Sequence, residues 1–165
     1  MENQALRHVM TFLVAGLLQV LLFSNITFMG FVSPYVYLIF LLTLPVGLSR
    51  GTQMLLGFVM GLCMDISFNT PGVHTFACVL VGATRNTWID MLFHIEFAMA
   101  SPSARVFGFV NYIKYAAGVI ALHHTTVFLL ESLSVQPFWI TLCRILLNTL
   151  ITLVLVLCYE LVRKG

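Results

Sequence analysis

Gln53-Met54-Leu55-Leu56-Gly57-Phe58-Val59-Met60-Gly61-Leu62-Cys63-Met64-Asp65-Ile66-Ser67-Phe68 is an apolar run broken by one charge, and it closes on the turn-rich Asn69-Thr70-Pro71-Gly72. Wound as a helix, it brings Gly57, Gly61 and Asp65, spaced four apart, near one face. Gly57-x-x-x-Gly61 lets another helix approach closely. Asp65 stands one turn further toward the outer end. An ionisable side chain in hydrocarbon must face protein or water. The stretch therefore reads as a membrane span whose glycine–carboxylate face either packs a helical bundle or receives a partner's helix.

The rest of the chain agrees. Of 165 residues, 60% are hydrophobic and only 8% charged, where soluble domains carry roughly 25% charge. With mean hydropathy at +1.01, there are too few polar groups to cover a water-facing surface. A soluble enzyme and a disordered linker are excluded. The formal charge of +2 is too small for a nucleic-acid binder, which needs a dense basic face. Cys63, Cys78, Cys143 and Cys158 lie in apolar runs with no C-x-x-C pair and read as small buried hydrophobes.

Crossing a ~30 Å hydrocarbon core takes about 20 apolar residues, and the chain divides into six such spans, an all-α polytopic bundle forming a single domain, 1–165. They are expected near 9–27, 34–48, 53–68, 73–88, 115–133 and 138–161, with a cytoplasmic connection over 89–114. The first is not a signal peptide, because Ser24-Asn25-Ile26-Thr27 offers no small-x-small cleavage site. Pro34 suits the first turn of the second span, and Pro45 should loosen its inner end. In the fourth, Arg85 arrives early and is expected to snorkel to the interface. Trp88 to Phe97 reads as an amphipathic helix lying on the surface. Trp139 and Tyr159 would anchor the ends of the last span.

Orientation follows from charge. With both termini in the cytoplasm, Arg7, Arg50, Arg85, Arg105, Lys114, Arg163 and Lys164 all fall inside, and the outer loops hold no Lys or Arg. Only Arg144 lies within a span, about six residues or ~9 Å below its outer end. It is the natural partner for Asp65 or Glu131. His123 and His124 point about 100° apart, and His124 and Glu131 are ~10 Å apart along the axis, which spoils a shared metal site. No H-E-x-x-H, G-x-S-x-G or phosphate-binding glycine loop occurs. No cofactor or metal is expected.

Gly57-Phe58-Val59-Met60-Gly61, then Asp65, then the Pro71-Gly72 turn, resemble the G-F-x-x-G-x-x-x-D signature and following turn of MreD, the rod shape-determining membrane protein family of bacteria. Pro34, the chain length and the six-span layout agree. His123-His124 with Glu131, and Arg144-Ile145-Leu146, look like the Bacteroides-type version. The resemblance implies a non-enzymatic scaffold in the bacterial cytoplasmic membrane. Its implied partner is MreC, within an elongation complex that includes RodA, a penicillin-binding transpeptidase and MreB filaments, linking that cytoskeleton to peptidoglycan synthesis and cell shape. It also implies a fold like the vitamin-binding S components of energy-coupling-factor transporters, an analogy of fold that transfers no function. Two other readings stand beside it. Asp65, Glu131 and Arg144 would line an outer cavity in an S-component-like transporter subunit. His123, His124 and Glu131 would serve an intramembrane lipid enzyme, against which their spacing argues.

Overall fold

The structure is a computed structural model and describes residues 2–23, 32–93, 100–132 and 137–163, the side chains from residue 5 onward. All its regular elements among these residues are helices, without strands. Helix α1 spans Glu2–Leu18 and continues as a π-helical turn, Gln19–Phe23; α2 is Leu38–Thr43, α3 Arg50–Phe68, α4 Val73–Leu92, α5 Ala104–Phe107, α6 Phe109–Ser132 and α7 Phe138–Arg163. Four helices are long and apolar enough to cross a membrane: Ala5–Phe23, Arg50–Phe68, Phe109–Ser132 and Phe138–Arg163. The chain is a membrane protein by this measure.

The bundle is apolar outside and polar within. On α7 the buried residues are Thr141, Asn148, Thr152, Val156 and Glu160, while Leu146, Leu147, Leu150 and Val154 are exposed. A helix in water shows the opposite pattern. In hydrocarbon, exposed leucines cost nothing, and the polar groups turn inward to find partners. α4 packs on α3 and α6, and α6 on α7, with α3–α4 the most extensive contact. α1 leans on the edge of this group, mainly against α2.

Glycines set the α3–α4 distance. A Cβ on Gly57 would stand 2.6 Å from the Cys78 carbonyl oxygen, and one on Gly61 2.5 Å from the Thr75 Cα. From the other side, a Cβ on Gly82 of α4 would meet the Gln53 carbonyl oxygen at 2.7 Å. Backbone touches backbone at three levels, so the Gly57–Gly61 face of α3 is filled by α4. Gly82 was not among the residues singled out above.

The structure corrects the expected second span. Instead of a helix over 34–48, only Leu38–Thr43 is helical, and Tyr35 to Leu44 are all buried. This segment lies inside the bundle rather than on its rim. Pro45 ends it, because the residue before a proline is pushed out of the helical region; Leu44 has ψ 142. The expected end of the fourth span also moves. α4 runs on to Leu92, and Arg85 does not reach the interface but is fully buried.

Other boundaries shift less. α6 starts at Phe109, six residues before the expected Tyr115, which shortens the 89–114 connection and leaves α5 within it. The proposed surface helix over 88–97 begins as the last turn of α4, and residues 94–99 lie outside the described residues, as do Ser24 to Thr27. Of the cysteines only Cys78 is buried; Cys63, Cys143 and Cys158 are exposed, since a thiol is apolar enough to face lipid.

Gly61→Leu should force α3 and α4 apart, lowering the thermal midpoint in mild detergent by an amount corresponding to ~1–3 kcal/mol of overpacking. Gly51→Ala, where a Cβ meets nothing closer than 4.0 Å, should leave the midpoint unchanged or raise it slightly.

Candidate functional site

A column of polar side chains runs through the bundle, and several of them serve the backbone of interrupted segments. At one end of it is Asp65, 5% exposed. Helix α4 begins after Gly72, which has no side chain to cap the free N–H groups and sits at φ 81. The Asp65 carboxylate supplies the cap from α3. Oδ1 accepts from the His74 N–H at 2.9 Å and the Thr70 hydroxyl at 2.6 Å; Oδ2 accepts from the Thr75 N–H at 2.9 Å and the Thr75 hydroxyl at 2.5 Å. These N–H groups are the second and third of the helix, the pair an N-cap residue ordinarily holds, and the negative charge suits the positive end of the helix dipole. Pro71 is exposed and closes the turn.

Arg144 therefore does not meet Asp65. It pairs with Glu131 at 3.1 Å, and its guanidinium carbon lies 4.5 Å over the centre of the Phe128 ring. Both members are partly exposed, so the pair joins α6 to α7 but contributes modestly.

Near the same end, residues 33–36 are not helical, and side chains pair with their backbone. The buried Gln19 amide donates to the Pro34 carbonyl at 3.2 Å and accepts from the Val36 N–H at 2.7 Å, as a neighbouring strand would. The Asn148 carbonyl oxygen accepts from the Ser33 N–H at 2.6 Å, and the Thr152 hydroxyl from the Tyr35 N–H at 3.2 Å. Irregular backbone at membrane depth persists only where protein satisfies it in this way.

Around this strand-like stretch the histidines gather. Tyr35 stacks on His124 with ring centres 5.1 Å apart, and His74 stacks on Phe68 at 5.0 Å. Tyr37 Oη lies 2.8 Å from His123 Nε2, and Cys78 Sγ lies 3.8 Å from the same nitrogen. His124 Nδ1 is 2.8 Å from the Ile120 carbonyl, which can only accept, so that nitrogen carries the proton and Nε2 faces the Thr152 hydroxyl at 3.4 Å. The two adjacent histidines thus serve different neighbours. His74 lies between them and Asp65, its Nδ1 3.6 Å from Asp65 Oδ1. Among the described residues no group of three or more His, Cys, Asp or Glu side chains is placed to hold a metal ion, and Glu131 stands apart with Arg144.

At the opposite end of the column, α2 stops with its carbonyls unpaired, and a buried cation meets them. Arg85 Nη2 donates to the Leu44 carbonyl, Nη1 to Gln53 Oε1 at 3.0 Å and Nε to the Tyr115 hydroxyl at 2.6 Å; Tyr115 in turn donates to the Leu42 carbonyl at 3.1 Å. Gln53 Nε2 donates onward to the Leu48 carbonyl at 2.7 Å and to Asn86 Oδ1 at 3.0 Å. Among the described residues Arg85 makes no ion pair with a carboxylate. Helix-end carbonyls and neutral oxygens balance its charge, as a cation at a helix C-terminus should be balanced. Glu160 plays the matching part for α5, its Oε1 accepting from the Ala104 N–H at 2.8 Å.

The structure brings Gly57, Gly61, Asp65 and Gly72 together at the α3–α4 contact. It places His123 and His124 in the core and Glu131 with Arg144, partly exposed, at the rim. Sequence reasoning passed over Gln19, Tyr35, Tyr37, His74, Asn148 and Thr152. The signal was present: each is a polar or hydroxylated residue in an apolar run, and Asn148, Thr152, Val156 and Glu160 keep a four-residue spacing that marks an inward face.

Asp65→Ala should destabilise the chain by ~1–2 kcal/mol through loss of the α4 cap, with Asp65→Asn in between and Glu131→Gln costing well under ~1 kcal/mol. Arg85→Lys should fail to restore what Arg85→Met loses, because one ammonium cannot reach Leu44, Gln53 and Tyr115 together. Thermal unfolding in detergent, followed by circular dichroism, separates these outcomes.

Comparison with protein-family models, curated proteins and solved structures finds no match to this chain.

Proposed function

We propose that this chain is a six-crossing, non-enzymatic scaffold of the bacterial cytoplasmic membrane, acting in the cell-elongation complex with MreC as its direct partner. RodA, the penicillin-binding transpeptidase and MreB would be its wider company. In this reading the four long apolar helices are joined by α4 and by the inserted segment 32–49 as the remaining crossings. The run of the chain supports that count. Asp65, Thr70 and the start of α4 lie at one end of the bundle, with Glu131 and Arg144 also at helix ends facing outward. Leu44 to Leu48, Arg85 and the 100–107 connection lie at the other, where Val46 N–H bonds the Ala100 carbonyl at 3.1 Å.

The scaffold assignment rests on the Gly57–Phe58–Gly61–Asp65 signature with its Pro71-Gly72 turn. One structural observation supports it: three buried charged side chains hold backbone at helix ends, Asp65 for α4, Arg85 for α2 and Glu160 for α5. Such side chains build a rigid platform for other membrane proteins. Because α4 fills the glycine face of α3, the partner's helix is expected on another surface.

Recovery from bacterial membranes in mild detergent, with partners identified by mass spectrometry, tests the assignment. MreC, RodA or the transpeptidase should co-purify; a transporter ATPase module in their place would favour a vitamin-binding subunit. Topology has its own check in a cysteine-free background. Pro71→Cys should react with a membrane-impermeant thiol reagent on intact cells, and Gly51→Cys only after permeabilisation. The reverse pattern would invert the proposed orientation.

A further inference from the structure

Helix α1 is the least enclosed of the long helices, with Leu6, Met10, Val14 and Leu17 all exposed. Where it meets α7, a groove of ≈ 250 Å³ runs along the bundle, walled by Met10, Val14 and Leu18 of α1 and by Val36 and Ile39 of the inserted segment. Arg7, Thr11 and Tyr159 line one end of it, and the same three residues line a second, more enclosed cavity of ≈ 70 Å³. The other walls of that cavity are His8, Thr43, Ser101 and Arg163.

Among the described residues the charges there do not balance. Arg7 makes no ion pair among the described residues. Arg163 donates to the Pro102 carbonyl at 3.4 Å and lies 3.7 Å from Glu160 Oε2. Among the described residues Glu160 is the one carboxylate near the cavity, and its other oxygen is held by the Ala104 N–H. His8 Nε2 is 3.5 Å from the Ser101 hydroxyl, while its buried Nδ1 has no hydrogen-bond partner among the described residues. Two guanidinium groups and an imidazole thus face a small polar space that opens into an apolar groove.

We infer that this junction is a binding site for an anionic phospholipid, with the phosphate in the ≈ 70 Å³ cavity against Arg7, Arg163, His8 and Ser101 and one acyl chain along the α1–α7 groove. The inference rests on the proposed topology, which puts Arg7, Ser101 and Arg163 at the cytoplasmic headgroup level, where basic pockets between helices recruit anionic lipid. A single water needs ~10–15 Å³ of such volume, so the cavity has room for a phosphoryl group. The groove supplies what a free anion would not use, an apolar wall of Met10, Val14, Leu18, Val36 and Ile39. A zwitterionic lipid would bring its own cation against Arg7 and Arg163.

Native mass spectrometry of the full chain, released from mixed phosphatidylglycerol–phosphatidylcholine vesicles into mild detergent, tests this. The wild type should retain phosphatidylglycerol over phosphatidylcholine. Arg7→Gln, which removes no hydrogen bond or ion pair among the described residues, should lower that retention about fivefold, and Arg7→Gln with Arg163→Gln further. Val14→Trp, which fills the groove and leaves both arginines, should also lower it. Equal retention of the two lipids by the wild type, or full retention by Arg7→Gln, would overturn the site. So would inorganic phosphate displacing the lipid and stabilising wild type and Val14→Trp alike, which would make it a site for a free anion. Retention is read in detergent and does not depend on orientation, so a failed lipid result and a failed thiol-labelling result are separate events.

Discussion

Residues 32–49 impose the requirement that organises the rest of this molecule. Only Leu38–Thr43 among them is helical, yet Tyr35 to Leu44 are buried in a bundle whose outside is hydrocarbon-like. An unpaired N–H or C=O in such a place costs several kcal/mol. Gln19, Asn148 and Thr152 meet this demand at one end of the segment, and Tyr115, Arg85 and Gln53 at the other. These residues come from five different helices, so the segment ties the long helices together more specifically than leucine packing would. Lipid tails compete with leucine on nearly equal terms; they cannot compete with an amide.

The second organising element is the backbone contact of α3 with α4. Gly57, Gly61 and Gly82 allow it, and Asp65 completes it by capping α4 from a neighbouring helix. The two features are linked in sequence. A turn as tight as Asn69 to Gly72 needs left-handed backbone at Asn69 (φ 55) and Gly72 (φ 81), and that choice removes the side chain which would have capped the helix. Asp65 is spaced to replace it. A carboxylate that in isolation suggests a binding site is thus explained by the helix start it holds, which shifts functional interest toward the rims of the bundle and the basic junction beside α1.

Legibility varied with the range of the cause. The α3 span, its glycine face and the α6 and α7 spans could be read because they depend on residues three or four apart. The Glu131–Arg144 pair was one of two options left by charge and depth, and neither favoured it alone. Arg85 was misread as an interfacial residue because its partners are 30 to 41 positions away, at Tyr115, Gln53 and Leu44. A local window sees an arginine near a helix end and assigns it to water. The second span failed for a related reason: an apolar run bounded by Pro34 and Pro45 has the composition of a helix, and composition does not register that its backbone will be paired by side chains from elsewhere.

By itself, the sequence determined that this is an all-helical membrane bundle, roughly where α3, α6 and α7 lie, and that α3 presents a small-residue face ending in a carboxylate. Those properties follow from hydropathy and from periodicity along one helix. Tertiary structure alone decided that α4 fills that face, that Asp65 caps a helix instead of pairing with Arg144, that Arg85 is buried against carbonyls, and that 32–49 is interrupted. Each of these depends on which polar group lies within about 3 Å once the helices have packed, and that distance is a property of the assembled bundle.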